Sequence, residues 1–330
     1  MTEFELIARL TEGAPREAAD LPCGVGDDCA VVAGPHGRDW LVTVDAFAEG
    51  IHFMREWANF RSIGRKALAA AASDVAAMGG LPRFYLATIG LGPGDEEGAA
   101  GEIYSGMREA AHENGLVLVG GDTFRSPSGI TMSLTVVGEA GHGEAILRSG
   151  AKAGDGVFVT GSLGGAAVGL ASLRSGKRGG ACGKFVERHL EPRPRVAEGR
   201  AIARSRLATA MIDSSDGLVA DLCHIAEASS LGFEIEAGLV PFDPDLSAAA
   251  VELGIDFNDA VLAGGEDYEL IFTVAGKSLP AFERTAKEIG AVRIGTMVGE
   301  RERREVRGAG GEPLAVGPGG FDHFGRKGGS

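Results

Sequence analysis

The stretch Gly24-Val25-Gly26-Asp27-Asp28-Cys29 places two adjacent carboxylates directly after a Gly-x-Gly turn. Glycine lets the backbone turn sharply and approach a ligand closely. Two like charges held about 4 Å apart repel each other by about 1 kcal/mol in water, and by more in a drier cleft. The stretch therefore predicts a site in which a positive group offsets the acid pair.

Acids recur along the chain beside small residues or directly after predicted strands. These acids are Asp45, Asp74, Asp122, Asp213 and Asp216. Any one of them alone is more often a helix cap, a turn residue or a surface acid. If they converge with Asp28, they form an all-oxygen site for hard divalent cations, and Mg²⁺ with a polyphosphate is the usual reason for such a site.

The length of 330 residues predicts about two domains of roughly 150 residues each, with a cleft between them. Predicted strands alternate with predicted helices in both halves, which indicates α/β or α+β domains. In the first half the strands are expected at 40–44, 84–91, 116–119 and 130–138, and the longer helices at 62–78 and 96–114. Glycines at 139–144 predict the boundary, which gives domains 1–140 and 141–330.

The charge balance of 32 basic against 46 acidic residues gives −14, without a strongly basic run. Nucleic acid and anionic membrane surfaces are therefore not expected as partners. The four cysteines form no C-x-x-C pair and no zinc spacing, which favours free thiols in a reducing compartment. Because no apolar run reaches the ~18 residues of a membrane span, the chain is expected in the cytoplasm.

Three local patterns in the second half allow more than one interpretation. The turn Gly161-Ser162-Leu163-Gly164-Gly165 follows a predicted strand, and it fits an anion cradle or simple helix packing equally well. Either Ser215 or Asp216 fits the cap of the predicted helix 218–229. Residues 172–184 contain four glycines and are expected to form a flexible surface loop with solvated basic residues.

Nine motifs in chain order closely resemble those of the thiamine-monophosphate kinase family, and together they span nearly the whole chain. They are Gly24-Val25-Gly26-Asp27-Asp28, Val44-Asp45, Gly50-Ile51-His52-Phe53, Ser73-Asp74-Val75-Ala76-Ala77-Met78-Gly79, Gly120-Gly121-Asp122-Thr123, Arg148-Ser149-Gly150-Ala151-Lys152, Asp213-Ser214-Ser215-Asp216-Gly217-Leu218, Gly264-Gly265-Glu266-Asp267-Tyr268-Glu269-Leu270 and Gly320-Phe321-Asp322-His323-Phe324. The wider superfamily includes aminoimidazole ribonucleotide synthetase, selenophosphate synthetase and a hydrogenase-maturation protein. The glycine loop here lacks the lysine of the selenophosphate branch, and the chain does not end in the cysteine of the hydrogenase-maturation branch.

The resemblance implies a two-domain synthetase-like fold. Its N-terminal α/β domain dimerises through a shared β-barrel, its C-terminal domain is α/β, and ATP binds across the cleft. It also implies a homodimer that acts on ATP and thiamine monophosphate with several Mg²⁺ ions.

Site residues are carried over by motif position. The implied Mg²⁺ ligands are Asp28, Thr43, Val44, Asp45, Asp74, Asp122, Asp213 and Asp216. The implied ATP contacts are Tyr104, Gly121, Asp122, Arg148 and Ser215, and the implied contacts to thiamine monophosphate are His52, Glu266 and Phe321. Asp122, Arg148 and Asp213 are the expected catalytic residues. Two positions depart from the family pattern. Position 44 is Val where the family often has Thr, so that only the backbone carbonyl of Val44 could bind a cation. Position 321 is Phe where Trp or Tyr is more common.

The implied reaction is direct in-line transfer of the γ-phosphoryl of ATP to thiamine monophosphate, giving thiamine diphosphate and ADP. A phosphate monoester with a second pKa of about 6 is already largely a dianion at neutral pH, so no catalytic base is required. The obstacle to transfer is the repulsion among the two anionic substrates and the carboxylates of the site, which Mg²⁺ and Arg148 are expected to offset. Two alternatives remain: a synthetase of the superfamily that phosphorylates a carbonyl oxygen, and a non-catalytic Mg²⁺ or Ca²⁺ binding protein.

Overall fold

The chain forms two mixed β-sheets packed against helices, in a computed structural model that describes residues 3–95, 98–308 and 310–315. The strands are β1 (Ala30–Ala33), β2 (Arg38–Ala48), β3 (Leu81–Leu91), β4 (Val117–Arg125), β5 (Thr131–Gly141), β6 (Gly156–Val159), β7 (Ala208–Asp213), β8 (Gly232–Glu236), β9 (Leu270–Val274), β10 (Val292–Val298) and β11 (Arg304–Arg307). The helices are α1 (Glu3–Leu10), α2 (Phe60–Ala77), α3 (Gly98–Asn114), α4 (Gly165–Ser175), α5 (Gly183–Leu190), α6 (Val196–Ser205), α7 (Leu218–Ala228), α8 (Leu246–Leu253), α9 (Phe257–Leu262) and α10 (Leu279–Ile289).

The first sheet has the strand order β1-β2-β5-β3-β4 and is antiparallel except between β3 and β4. Every second residue of β5 is buried, and Met132, Leu134 and Val136 join the hydrophobic core that includes residues of α2 and α3. All nine residues of β4 are exposed, although this edge strand carries the apolar Val117 and Val119. The sheet therefore buries alternate residues on one face and leaves an apolar edge strand open.

Helices α2 and α3 cross at glycines that let the two backbones approach closely. A Cβ on Gly64 would lie 2.0 Å from the carbonyl oxygen of Ile103, and one on Gly106 would lie 1.8 Å from that of Arg61. Larger residues at either position would push the helices apart. The crossing fixes α2, whose last two turns carry Asp74, against the rest of the first half.

The second sheet has the strand order β11-β8-β10-β6-β9-β7, and its neighbouring strands are antiparallel except β11 with β8. Its inner strands β6 and β9 are buried along their whole length. The rings of Phe158 and Phe272 stack with centroids 5.4 Å apart, and Phe282 of α10 packs on both at 5.5 Å. The edge strand β7 ends at Asp213, which places the Asp213 carboxylate at the edge of this sheet.

This two-domain mixed α/β fold confirms the predicted class. The expected strand ends at two acids were wrong, however. Strand β2 continues past Asp45 because it pairs with β5 as far as Ala48, and β4 continues past Asp122 because it pairs with β3 as far as Arg125. Both acids therefore lie within strands rather than after them.

The expected flexible loop at 172–184 was also wrong in part. Helix α4 runs to Ser175 and α5 begins at Gly183, with a short 3-10 turn before it. One of the basic residues expected to be solvated, Arg178, instead donates hydrogen bonds to the backbone carbonyls of Glu56 and Trp57. In the described ranges, no helix combines the length and the apolar character that crossing a membrane requires.

Candidate active site

Three carboxylates from distant parts of the sequence meet at one point. Asp28 comes from the turn before β1, Asp74 from α2 and Asp213 from the end of β7. One carboxylate oxygen of each lies within 4.8 Å of the others, and we refer to these three residues as the carboxylate cluster. Asp28 and Asp213 are buried, and Asp74 is partly buried. The sequence predicted that these acids would converge, and for these three the structure places them together.

Hydrogen-bond donors hold each member of the cluster in place. Ser73 Oγ donates to Asp213 at 2.6 Å, and Thr43 Oγ1 donates to Asp74. The guanidinium of Arg148 lies 2.6 Å from Asp28 Oδ1. Thr43 and Arg148 thus each bond directly to a carboxylate of the cluster.

Burial makes the cluster difficult to ionise without a cation. Burial, followed by the charge of Asp28, raises the pKa of Asp213 to about 7. Burial and the charges of Asp45 and Asp213 raise the pKa of Asp74 well above its usual range. Burial alone raises the pKa of Asp45 to about 6. Because the charge of Asp45 raises the pKa of Asp74, Asp45 is close enough to act on the cluster electrostatically.

The donor set fits a hard divalent cation. All the ligand atoms that the cluster offers are carboxylate oxygens, which Mg²⁺ and Ca²⁺ prefer. Oδ2 of Asp28 is buried and has no hydrogen-bond partner among the described residues, and a buried polar atom of this kind ordinarily requires one. A cation held by the carboxylate cluster would supply that partner.

Helix α7 carries, in its first turn, a further buried acid that was not predicted from the sequence. Asp221 is buried in the first turn of α7 and accepts hydrogen bonds from the backbone N–H groups of Asp216 and Gly217. Neither Ser215 nor Asp216 caps the helix, so that interpretation was wrong. Burial and the charges of Asp216 and Asp213 raise the pKa of Asp221 well above its usual range. Asp221 could be found only from the tertiary structure, because its spacing in the sequence fits an ordinary polar helix face.

Three of the expected ATP contacts lie around strands β3 and β4. A Cβ on Gly121 would lie 2.0 Å from the carbonyl oxygen of Ala87, so this position requires glycine for strand packing. The hydroxyl of Tyr104 donates to the same carbonyl at 3.3 Å. Asp122 is exposed on β4, and its Oδ1 accepts from the backbone N–H of Thr123. Asp122 does not belong to the carboxylate cluster.

Val44 lies on the exposed side of β2, with its residue 63% accessible, while its neighbour Thr43 is buried. This alternation follows from the two-residue period of a strand. Because a valine side chain offers no ligand atom, the role of Val44 toward a cation stays a prediction that concerns its backbone carbonyl alone.

Two of the expected substrate contacts, Glu266 and His52, have partners among the described residues. Glu266 Oε1 is 2.8 Å from Lys66 Nζ, and the Glu266 backbone N–H donates to Ser215 O at 2.8 Å. His52 Nδ1 accepts from the backbone N–H of Ala48 at 3.0 Å. Phe321 lies outside the described residues. Sequence reasoning missed Lys66, which sits among the alanines of α2 and gives no local signal of a buried charge.

The turn at 161–165 does not hold an open anion cradle. The Asp267 carboxylate accepts hydrogen bonds from the backbone N–H groups of Gly164 and Ala166, at 2.5 and 2.9 Å, so it occupies the N-terminal end of α4. Of the two interpretations of this turn, the packing role is the one that these contacts support.

Comparison with known proteins identifies the family. The model of the AIR synthase related protein N-terminal domain matches residues 26–140, and that of the C-terminal domain matches residues 152–307. The chain is 38% identical over 281 residues to the thiamine-monophosphate kinase of Bacillus subtilis, covering 84% of this chain and 85% of that protein. It is 34% identical over 333 residues to that of Escherichia coli K12, covering 98% of each. The chain belongs to the thiamine-monophosphate kinase family.

A solved structure extends this result to three dimensions. The structure of AaThiL complexed with AMPPCP and TMP superimposes with a TM-score of 0.84 at 32% identity, and the match covers 98% of this chain and 97% of that chain. Membership of the thiamine-monophosphate kinase family confirms the resemblance drawn from the nine motifs, and the fold agrees along nearly the whole chain.

Proposed function

We propose that this protein is a thiamine-monophosphate kinase that transfers the γ-phosphoryl of ATP in line to thiamine monophosphate, giving thiamine diphosphate and ADP. The observation that carries the proposal is the buried carboxylate cluster with Arg148 beside it, in a chain 34% identical to a thiamine-monophosphate kinase over 98% of its length. The related AaThiL was solved with AMPPCP and TMP, a pairing that matches the two proposed substrates.

In this mechanism Asp28, Asp74 and Asp213 would hold Mg²⁺, and Asp45 and Asp216 are proposed as further ligands. When bound there, Mg²⁺ supplies charge neutralisation and orientation of phosphate oxygens. Thr43 and Ser73 orient the carboxylates through the hydrogen bonds that they donate.

Arg148 is the protein's own cation at the site, and it remains charged at any physiological pH. Its guanidinium contacts Asp28 through both Nε and Nη2, which leaves Nη1 to meet a phosphate oxygen. Asp122, Gly121, Tyr104 and Ser215 are assigned to ATP. No residue is assigned as a base, because the acceptor phosphate is already ionised.

We also assign residues 1–140 to an ATP- and Mg²⁺-binding dimerisation domain and residues 141–330 to a domain that completes the cleft. The dimer is supported by β4, whose apolar residues Val117, Val119 and Phe124 are 56%, 55% and 46% exposed. An open, apolar edge strand is a template for pairing with another chain. A second copy of the same sheet would cover it and could close a shared barrel.

The cysteines support a reducing compartment such as the cytoplasm. All four, Cys23, Cys29, Cys182 and Cys223, are free thiols in the structure. Disulfides are rare in such compartments.

The deciding experiment measures ADP release by the purified full chain with ATP and Mg²⁺, with and without thiamine monophosphate, and identifies the product by mass. We expect release that depends on thiamine monophosphate and yields thiamine diphosphate. ATP binding without this reaction would indicate a superfamily relative with another acceptor. Binding of Mg²⁺ without ATP binding would indicate a structural cation site and would overturn the proposal.

A further inference from the structure

Two buried ionisable residues, Lys66 and His189, contact the expected substrate contact Glu266. Lys66 and His189 are each 3% exposed. Lys66 Nζ lies 2.8 Å from Glu266 Oε1 and 3.3 Å from His189 Nε2. His189 Nδ1 lies 3.3 Å from Glu266 Oε2 without the alignment of a hydrogen bond, and it has no hydrogen-bond partner in the described chain. We call Lys66 and His189 the glutamate clamp.

The protonation states follow from these contacts. Because Lys66 is a donor only, the Nε2 atom that it approaches must accept, and the proton of neutral His189 then lies on Nδ1, facing Glu266. Burial and the charge of Lys66 lower the pKa of His189 to about 4, which agrees with a neutral ring. Lys66, His189 and Glu266 thus carry one ammonium and one carboxylate, and their net charge is zero.

The clamp presents Glu266 outward. The side chain of Glu266 is 27% exposed, whereas the side chains of Lys66 and His189 are each 4% exposed. Its backbone has a φ of 65°, a left-handed conformation that is uncommon for a residue other than glycine. The N–H of Glu266 is bound to Ser215 O in the turn that follows Asp213. The backbone of Glu266 is therefore fixed to the turn that follows Asp213, and its carboxylate is fixed to Lys66 of α2.

An aromatic cavity adjoins the clamp. Its lining includes Lys66 and His189 together with Phe47, His52, Phe53 and Trp57. Glu266 is not among its lining residues, and its volume of about 10 Å³ is close to that of one water molecule, so this cavity does not itself receive a ring. A Lys–Glu pair of this kind holds the carboxylate ionised, and the fixed side chains reduce the entropy lost when a ligand binds.

We propose that Lys66 and His189 are positioning residues that hold the partly exposed carboxylate of Glu266 for contact with thiamine monophosphate. This inference rests on the proposed function. It assigns the clamp to recognition of the acceptor and not to the transfer of the phosphoryl group, because neither residue belongs to the carboxylate cluster.

The test compares Lys66→Met, Lys66→Arg, His189→Gln and Glu266→Gln with wild type, using the full chain and measuring KM for each substrate and kcat. Lys66→Met should raise KM for thiamine monophosphate about tenfold, with KM for ATP and kcat changed less than about twofold. Lys66→Arg should recover most of that loss, because it keeps the charge, and His189→Gln should raise the same KM by a smaller factor. Lys184→Met is the control, because Lys184 pairs with the exposed Asp245 and lies outside the clamp.

A double variant shows whether the clamp acts through Glu266. Lys66→Met with Glu266→Gln removes both charges, so it should fold even if Lys66→Met alone does not. Its KM for thiamine monophosphate should equal that of Glu266→Gln within about twofold. The inference would be overturned if the increases in KM of the two single variants multiplied in the double variant. It would also be overturned if Lys66→Met impaired both KM values and kcat equally, because that result would indicate a merely structural role.

Failure of this inference can be distinguished from failure of the proposed function. A wild type that forms thiamine diphosphate, with KM unchanged in folded Lys66→Met, overturns only the clamp. A wild type that forms no thiamine diphosphate overturns the proposed function and the clamp with it.

Discussion

The guanidinium Nη2 of Arg148 lies 2.6 Å from Oδ1 of Asp28, whose side chain is 1% exposed. The backbone N–H of the same arginine donates to Asp27 at 3.0 Å. Arg148 is thus the positive group that the acid pair requires. A cation bound by the carboxylate cluster would compete for Asp28, so the free and cation-bound proteins should depend differently on this arginine.

Replacing Arg148 by Met should destabilise the metal-free protein, because removing one partner of a buried ion pair costs about 3–5 kcal/mol. Mg²⁺ should restore part of the loss by taking over the charge of Asp28. The measurement is the Tm of wild type and variant in chelator and in Mg²⁺, with Arg284→Met as the control, since Arg284 is 89% exposed. An equal Mg²⁺-induced gain in Tm for wild type and Arg148→Met would contradict this account.

The metal-free protein should lose stability as the pH rises through about 7. The pKa of Asp213 is raised to about 7, and that of Asp74 well above its usual range, mainly by burial. Both groups ionise near pH 4 in an unfolded chain, so the folded state binds more protons between these values, and raising the pH favours unfolding.

The pH window of this test excludes the opposing effect of two histidines. Burial lowers the pKa of His189 and His224 from 6.5 to about 4, so they add stability as the pH rises toward 6.5 and nothing above it. In chelator, the Tm should therefore fall between about pH 6.5 and about pH 8. Saturating Mg²⁺ should reduce this slope. A Tm that rises across this interval in chelator would show that the carboxylate cluster ionises freely without a cation.

Replacing Val119 by Lys should separate the proposed dimer into monomers. Val119 is 55% exposed on the open edge strand β4, and a lysine there would bring a charge into a shared sheet. Sedimentation or light scattering at several concentrations gives the mass. Val251→Lys is the matched control, because Val251 is 80% exposed on α8. A wild type that is monomeric at every concentration would exclude the dimer.

Local sequence patterns predicted the longer strands and helices of the first half, because an alternating or helical pattern reflects which residues face a core, but they missed α5, α9 and β11 in the second half. The positions of single acids were less predictable. Asp28, Asp74 and Asp213 were recognised together because each stands in a distinctive setting of glycine or other small residues. Asp221 was missed because an acid in the first turn of a helix needs no special explanation.

The partners of buried charges could not be predicted, since they lie far apart in the sequence. Lys66 meets Glu266, which follows it by 200 residues, and His189 belongs to a helix whose start was interpreted as a loop. Similarly, no pattern around Gly164 indicates that Asp267 fills the end of α4. Such contacts depend on how the elements pack, and packing was not available from local periodicity.

Replacing Gly106 by Ala should destabilise the protein by about 3 kcal/mol, because the new Cβ would force α2 and α3 apart. That Cβ would lie 1.8 Å from the carbonyl oxygen of Arg61. A Cβ on Gly101, in the same helix, would meet nothing within 4 Å, so Gly101→Ala should stabilise by roughly 0.5–1 kcal/mol. Denaturant unfolding of both variants measures the difference. Equal stabilities would show that the helices do not cross at this distance.

Replacing Asp122 by Asn should lower kcat/KM at least about 100-fold while the fold stays intact, if Asp122 stabilises the transferring phosphoryl group through Mg²⁺. The fold should survive because Asp122 is exposed and Asn can still accept the Thr123 backbone N–H bond. Steady-state ADP release gives the rate, and thermal unfolding checks the structure. Asp20→Asn is the control, since Asp20 is exposed and is not among the predicted ligands. Near-normal turnover in Asp122→Asn would remove this residue from the site and would leave the carboxylate cluster, which does not include it, to bind the cation alone.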